Sequence, residues 1–269
     1  MKNNIILILL FFFLTKISFA DDFRIEAKNI KIDKKNQITI FENDVIIQDK
    51  QNIIKSDYAK YDKQKKFFVL RKNINLKDKN GHEFNGEYAT FDKNEEIFIT
   101  VGKSNIITSQ GYIAETEDMT INIKKGFAST KKNSFIKDLE GNLINLENFE
   151  YQTDNNIFKS IGNIEVKDVN NNSYNFSQIY LNEKKRELIG TDSKAYLNPE
   201  NFSHDKRNKP RVFSNVINVK PNQTEFLKSS FTICDYRKND KCPPWELIAG
   251  KMRHDNKKKT IYYDNAIIK

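Results

Sequence analysis

The sequence predicts an all-β fold, an elongated stack of antiparallel hairpins. Three observations predict it. Short runs rich in Ile, Val, Phe and Tyr alternate apolar with polar residues, as in Ile74-Asn-Leu76-Lys77 and Ile164-Glu-Val166-Lys167, and such runs suit strands with one buried face. Clusters of Asp, Asn and Lys separate them, and Asp and Asn favour turns because their side chains bond the local backbone. The strand–turn–strand pattern also recurs about every thirty residues, a period that marks a repeat architecture. Matches to helical i, i+3, i+4, i+7 spacing are poor.

The chain has 269 residues, of which 38% are hydrophobic and 12% aromatic, with 20 Phe and 11 Tyr. That aromatic content excludes a disordered chain, and nine Gly and five Pro exclude collagen-like and Pro/Gly low-complexity readings. The formal net charge is +9. Basic residues are spread through every repeat, as in Lys63-Gln-Lys-Lys66 and Lys257-Lys-Lys259, instead of clustering on one face, so they read as solvated turn residues and not as a nucleic-acid surface. Two Cys and three His leave little for a multi-ligand metal site.

Residues 1–20 read as a secretory signal peptide. Lys2 gives a positive start, Ile5 to Leu14 is an unbroken apolar run of ten, and Ser18-Phe19-Ala20 places small residues before a cut at Asp21. The run is short for a membrane-spanning helix, the alternative being an uncleaved anchor. No Cys follows the cut, so a lipid-anchored form is not expected. An exported chain meets an oxidising compartment, which makes Cys234 and Cys242 disulfide candidates.

The repeats then follow in order. Turn anchors are read at Asp33, Asp62, Asp92, Asp154, Asn182 and Asp255, with a degenerate copy around Met119 to Phe127 in the long gap. Each copy leads from its anchor into an apolar run, such as Phe67 to Leu70 or Ile97 to Val101, then through a second turn at Asn or Gly into another strand. One hairpin cannot bury its own apolar face, but a stack can. The expected architecture is 14 to 18 strands forming two facing sheets or an open jelly roll. Inward-facing candidates are Phe68, Leu70, Ile74, Leu76, Ile97, Ile99, Ile164 and Val166. For any one of them an ordinary sandwich core is at least as good a reading as a ligand contact.

The pattern Tyr/Phe-Asp, apolar run, Asn-Val/Ile-x-Leu/Ile over most of residues 23–197 resembles the OstA-like repeat of the lipopolysaccharide transport proteins. That resemblance implies a V-shaped OstA-like β-jelly roll over 21–200 whose inner groove carries the acyl chains of lipopolysaccharide, with no cofactor. The eight inward candidates then become groove candidates. Residues 201–269 carry Thr232-Ile-Cys234, Cys242-Pro-Pro-Trp245 and His254-Asp255, and look like the end of the periplasmic domain of the LptD family, before its barrel strands. In that family such a Cys, matched best by Cys234, takes part in disulfides tying this domain to the barrel; a local Cys234–Cys242 bond is the other option. The family continues into a barrel, so the expectation is an N-terminal part or split form of such a protein; the alternative is a stand-alone LptA-like bridge. The implied partners are lipopolysaccharide, a periplasmic LptA-like bridge protein joined by β-strand addition at the edge near Ile25 to Ile47, an LptE-like lipoprotein and an outer-membrane barrel. The implied location is the periplasm and outer membrane.

Catalysis is not expected. The sequence has no Gly-x-Ser-x-Gly elbow, phosphate loop or HExxH helix. Its Asp residues are scattered through turns instead of pairing as a glycosidase requires, and His254-Asp255 occupies the same repeat position as Phe91-Asp92.

Overall fold

A computed structural model describes residues 23–201, 209–234, 245–255, 257–258 and 260–269. The signal-peptide segment and Cys242 lie outside the described residues. Two short strands lead, β1 (Arg24–Glu26) and β2 (Asn29–Asp33), followed by four long ones: β3 (Ile38–Gln48), β4 (Ile53–Asp62), β5 (Phe67–Lys77) and β6 (Glu83–Asp92). Eight shorter strands come next: β7 (Ile97–Thr100), β8 (Lys103–Ile107), β9 (Ile113–Glu117), β10 (Thr120–Asn122), β11 (Phe127–Thr130), β12 (Ser134–Lys137), β13 (Leu143–Leu146) and β14 (Phe149–Gln152). Long strands resume with β15 (Ile157–Lys167), β16 (Ser173–Asn182), β17 (Glu187–Tyr196), β18 (Arg211–Lys220), β19 (Gln223–Thr232), β20 (Leu247–Asp255) and β21 (Thr260–Ile268).

All recorded pairings are antiparallel and join the 21 strands into one hydrogen-bonded ribbon. The ribbon folds into two facing sheets because the long strands change sheets midway. Register shifts between Glu42 and Val45, Arg71 and Ile74, and Ile161 and Ile164 mark the crossings. Positive φ at Asn73 (49°), Gly102 (79°) and Gly162 (124°) supplies the bends. At Gly162 the backbone conformation requires glycine; the nearest atom to a Cβ there, Glu147 Oε2, is the end of a flexible side chain that can shift. The strand number exceeds the expected 14 to 18 because the ribbon between 97 and 152 breaks at these crossings, so segments continuous elsewhere become pairs of short strands.

The crossings form one margin of a jelly roll, and two rows of turns form the other. Sheet I ends in turns at 63–66, 93–96, 123–126, 153–156 and 183–186; sheet II ends at 78–82, 108–112, 138–142 and 168–172. Both rows repeat every thirty residues. Sheet I turns start from Asp62, Asp92, Asn122, Gln152 and Asn182, so the register anchor of the fourth copy is Gln152 and not Asp154 as the sequence reading has it. The anchoring chemistry is as expected: Asp62 accepts from the Gln64 and Lys65 amides, and Asp255 from those of Lys257 and Lys258. Sheet II turns start from Asp78, Thr108, Asp138 and Asp168, where Asp78, for example, accepts from the His82 amide at 2.9 Å.

The core lies between the sheets. Across sheet I, Tyr61, Phe68, Phe91, Phe98, Ile121, Ala128, Tyr151, Phe158 and Leu181 follow one another strand by strand, and all are buried. Sheet II answers with Ile47, Ile54, Leu76, Phe84, Ile106, Ala114, Ile136, Ile144 and Val166, also buried. Among the described residues no helix is long and apolar enough to cross a membrane.

Candidate functional site: the interior between the sheets

Six of the eight inward candidates point inside. Phe68, Leu70, Ile74, Leu76, Ile164 and Val166 are buried in the core. Ile97 and Ile99 are corrections: Phe98 is fully buried, whereas Ile99 is 38% exposed and Ile97 is half-buried on the outer face. The period-two phase was hidden because β7 is apolar at three successive positions and carries Thr100 at its inner one. The Thr100 hydroxyl accepts from the Met119 amide at 3.0 Å and from the Ser104 hydroxyl at 2.7 Å, so its burial costs little.

The interior is filled by its own side chains along most of its length. Rings dominate: Tyr61 stacks on Phe68 with centroids 4.3 Å apart, and Tyr151 on Phe158 at 4.2 Å. Phe23, preceding β1, reaches across from sheet II and sits edge-on to Tyr61 and Phe68, with Lys93 Nζ 3.8 Å from its ring. A cleft of about 20 Å³ indents the turn margin between Leu76 and Phe84 of one sheet and Ile121 and Phe127 of the other. Toward the C-terminus the cover thins. Leu188 and Val219 continue the sheet I row and Phe231 the sheet II row, all only partly buried, and beyond Val219 the sheet I row carries Thr224 and His254 before Ile261. Ile268, which continues the sheet II row through Leu247, is 72% exposed. At the other end the sheet I row runs from Tyr61 through Thr39 to Ile32, which is also exposed, so the interior is an apolar trough packed along its middle and uncovered at its ends.

A polar cluster that the sequence reading missed interrupts this apolar lining at the turn margin. The Tyr151 hydroxyl donates to Glu183 Oε2 at 3.1 Å and lies 3.3 Å from His82 Nδ1. The Ser109 amide donates to the same Nδ1 at 3.0 Å, which leaves the proton of the neutral imidazole on Nε2, donated to the Thr153 carbonyl at 2.9 Å. Asn156 Nδ2 touches Tyr151, Glu183 and the Ser109 hydroxyl. Glu183 is 2% exposed and its Oε1 has no hydrogen-bond partner. Burial pushes its carboxyl up to about 7, against the Thr108, Tyr151 and Asn156 groups that favour the charge. Burial also raises Asp78, and raises the Tyr151 phenol together with the nearby Glu183 charge. The signal for this cluster was a break in the repeat. After the anchor, sheet I turns carry Lys63 and Lys93 but Glu183; at the close of sheet II turns, Asn142 and Asn172 bond their own turn's Asp at 2.7 Å, whereas His82 reaches the opposite sheet.

The arrangement offers apolar burial along its length. No group of His, Cys, Asp and Glu among the described residues could hold a metal ion. Cys234 is half-buried at the end of β19, where its carbonyl accepts from Arg211 at 2.6 Å. On the outer face the amides of Asn75, Asn85 and Asn105 form a ladder with bonds of 2.8 and 2.7 Å, along a groove of about 1160 Å³ whose lining also includes the buried Ile74, Ser104 and Ser134.

No family model matches the sequence, and no curated protein matches it. Among solved structures the chain is similar to the crystal structure of LptH, the LptA-homologous periplasmic component of the lipopolysaccharide transport device of Pseudomonas aeruginosa; the two share 11% identity over 69% of this chain and 89% of LptH, with a TM-score of 0.20.

Proposed function

We propose that this chain carries the acyl chains of lipopolysaccharide through the periplasm in the trough between its sheets. The observation that carries the reading is the sheet II inner row, apolar strand after strand as far as Ile268 and uncovered there, facing a sheet I row that is apolar through Val219. The OstA-like repeat pattern in the sequence supports the same reading. Each buried CH₂ of an acyl chain contributes about 0.8 kcal/mol, so a modest length holds without polar contacts. No cofactor is needed, and the driving energy comes from outside this chain. The signal peptide at 1–20 would deliver it to the periplasm.

Within this reading the chain is the N-terminal part of an LptD-like assembly protein. The edge of β1 and β2 would receive an LptA-like bridge protein by strand addition, and β21 would face the barrel and its LptE-like lipoprotein. Among the described residues β1 and β2 pair only with β3, and β21 only with β20, so both ends present strand edges. Two open edges also favour a second reading, a stand-alone bridge that assembles edge to edge. Sedimentation separates them: concentration-dependent filaments support the bridge, and a stable monomer the assembly-protein domain. Cys234 and Cys242 are proposed to form a disulfide, locally or with a barrel.

Photo-crosslinking side chains at Leu70, Phe98 and Tyr263 should capture lipopolysaccharide, and one at Ile99 should not. Capture at Ile99 with none at the three inner positions would overturn the trough.

A further inference from the structure

Resting on that reading, the structure also indicates how a cargo with a bulky headgroup gets in. The two sheets are covalently continuous along the margin of crossings. Along the other margin, among the described residues, they are joined by polar contacts at and beside the turns. Asn80 Nδ2 donates to Asp154 Oδ1 at 2.9 Å, with Lys79 at 3.7 Å from the same oxygen. Further along, His82 reaches the Thr153 carbonyl, Asn156 reaches Ser109, and Arg186 pairs with Glu140. These contacts link positions 46 to 75 residues apart in sequence, and they are polar, at the margin of a largely apolar interior.

We propose that this line of contacts is a lateral port: the turn margins part along it, the row of crossings acting as hinge, and acyl chains slide in sideways while the saccharide stays outside. Four observations converge on it. The interior behind the line is packed, so a chain can occupy it only if the sheets separate. The hinge residues are already in bent backbone, at Asn73, Gly102 and Gly162. The cleft at Leu76 and Phe84 opens on this margin. Leu139 and Val169, apolar tips of successive sheet II turns, stand exposed beside it, a greasy sill where an aqueous turn would carry polar residues.

The cluster behind the line sets how firmly it holds. Glu183 interacts with Tyr151 and Asn156 of sheet I and with Thr108 and Tyr112 of the 108–112 turn; through Tyr151 it is linked to His82 and Asp78 of the 78–82 turn, and Tyr112 is also near Asp138 and Arg186, which pairs with Glu140. Neutral Glu183 sits in this pocket at little cost. Ionised, it leaves a charge whose burial outweighs the Thr108, Tyr151 and Asn156 hydrogen bonds that favour it, and which parting of the sheets would hydrate. Opening is therefore easier above about pH 7 than below it.

The test locks the port. In a Cys234→Ser, Cys242→Ser background, Asn80→Cys and Asp154→Cys are joined by a short bis-maleimide, and the same protein capped with N-ethylmaleimide serves as the unlocked control. The probe is fluorescent lipopolysaccharide. Locking removes the open state, so uptake should fall about tenfold or more relative to the control. Glu183→Gln, which cannot ionise, should slow uptake at pH 8 and leave it unchanged at pH 5. In the unsubstituted protein, lipopolysaccharide should speed hydrogen exchange at the Ser109 and Tyr112 amides. Equal uptake by locked and unlocked protein would overturn the port while leaving the trough, since chains would then thread from an end. No uptake by either would remove the trough reading and the port with it.

Discussion

The Tyr151 hydroxyl bridges two ionisable side chains from opposite sheets, donating to Glu183 at 3.1 Å while standing 3.3 Å from His82. Tyr151 is also the stacking partner of Phe158 in the inner row. One side chain thus belongs at once to the apolar interior and to the polar line that closes it. Any change in the charge of Glu183 is felt where the core begins.

That coupling has a pH signature. The carboxyl of Glu183 is raised to about 7 in the folded protein from an ordinary 4.5. The folded state therefore binds the proton more tightly than the unfolded chain. Stability from this group is fully present below pH 4.5 and is lost as pH rises through about 7, a change of about 3 kcal/mol. Asp78, also raised by burial, acts in the same sense. Denaturant melts of the ligand-free protein from pH 5 to 8 should show the midpoint falling, and Glu183→Gln should flatten most of the slope. A midpoint that rises with pH in both proteins would contradict the assignment.

The repeat was legible because its turns are written in short-range chemistry: an Asp two or three residues before the amides it accepts from is visible in any sequence. The pairing of hairpins into facing sheets also followed, since period-two strands in tandem have few other ways to bury one face. Three features were not legible, for separate physical reasons. The phase of β7 was masked by outward Ile97 and Ile99 flanking inward Phe98. The crossings at Gly102 and Asp118, which split strands in the middle of the ribbon, depend on backbone conformation that Asp does not announce. The contacts of Asn80 with Asp154 join turns 74 residues apart, and no local pattern encodes which lip meets which.

The corrected phase makes its own prediction. Phe98→Ala removes a fully buried ring between Phe91 and Ile121 and should cost about 3 to 5 kcal/mol. Ile99→Ala, one residue away and 38% exposed, should cost well under half as much. Urea melts of the two variants decide it. Equal losses would mean that β7 presents its other face to the core.

Gly190 offers a test of how tightly the uncovered C-terminal end is still packed. It lies on β17 opposite Ile179, and a Cβ there would fall 2.4 Å from Cδ1 and 2.6 Å from Cε1 of Phe176. The Phe176 ring is buried and fills the space a side chain would take, so it must tilt out of its rotamer or push the sheets apart. Gly190→Ala should therefore destabilise by about 1 to 3 kcal/mol, although alanine ordinarily favours a strand over glycine. Phe176→Leu alone should also destabilise, by opening space in the core. Combined, the two should cost clearly less than their sum, because the smaller side chain makes room for the new methyl. Additive losses in the double variant would show that the ring is not what excludes a side chain at 190.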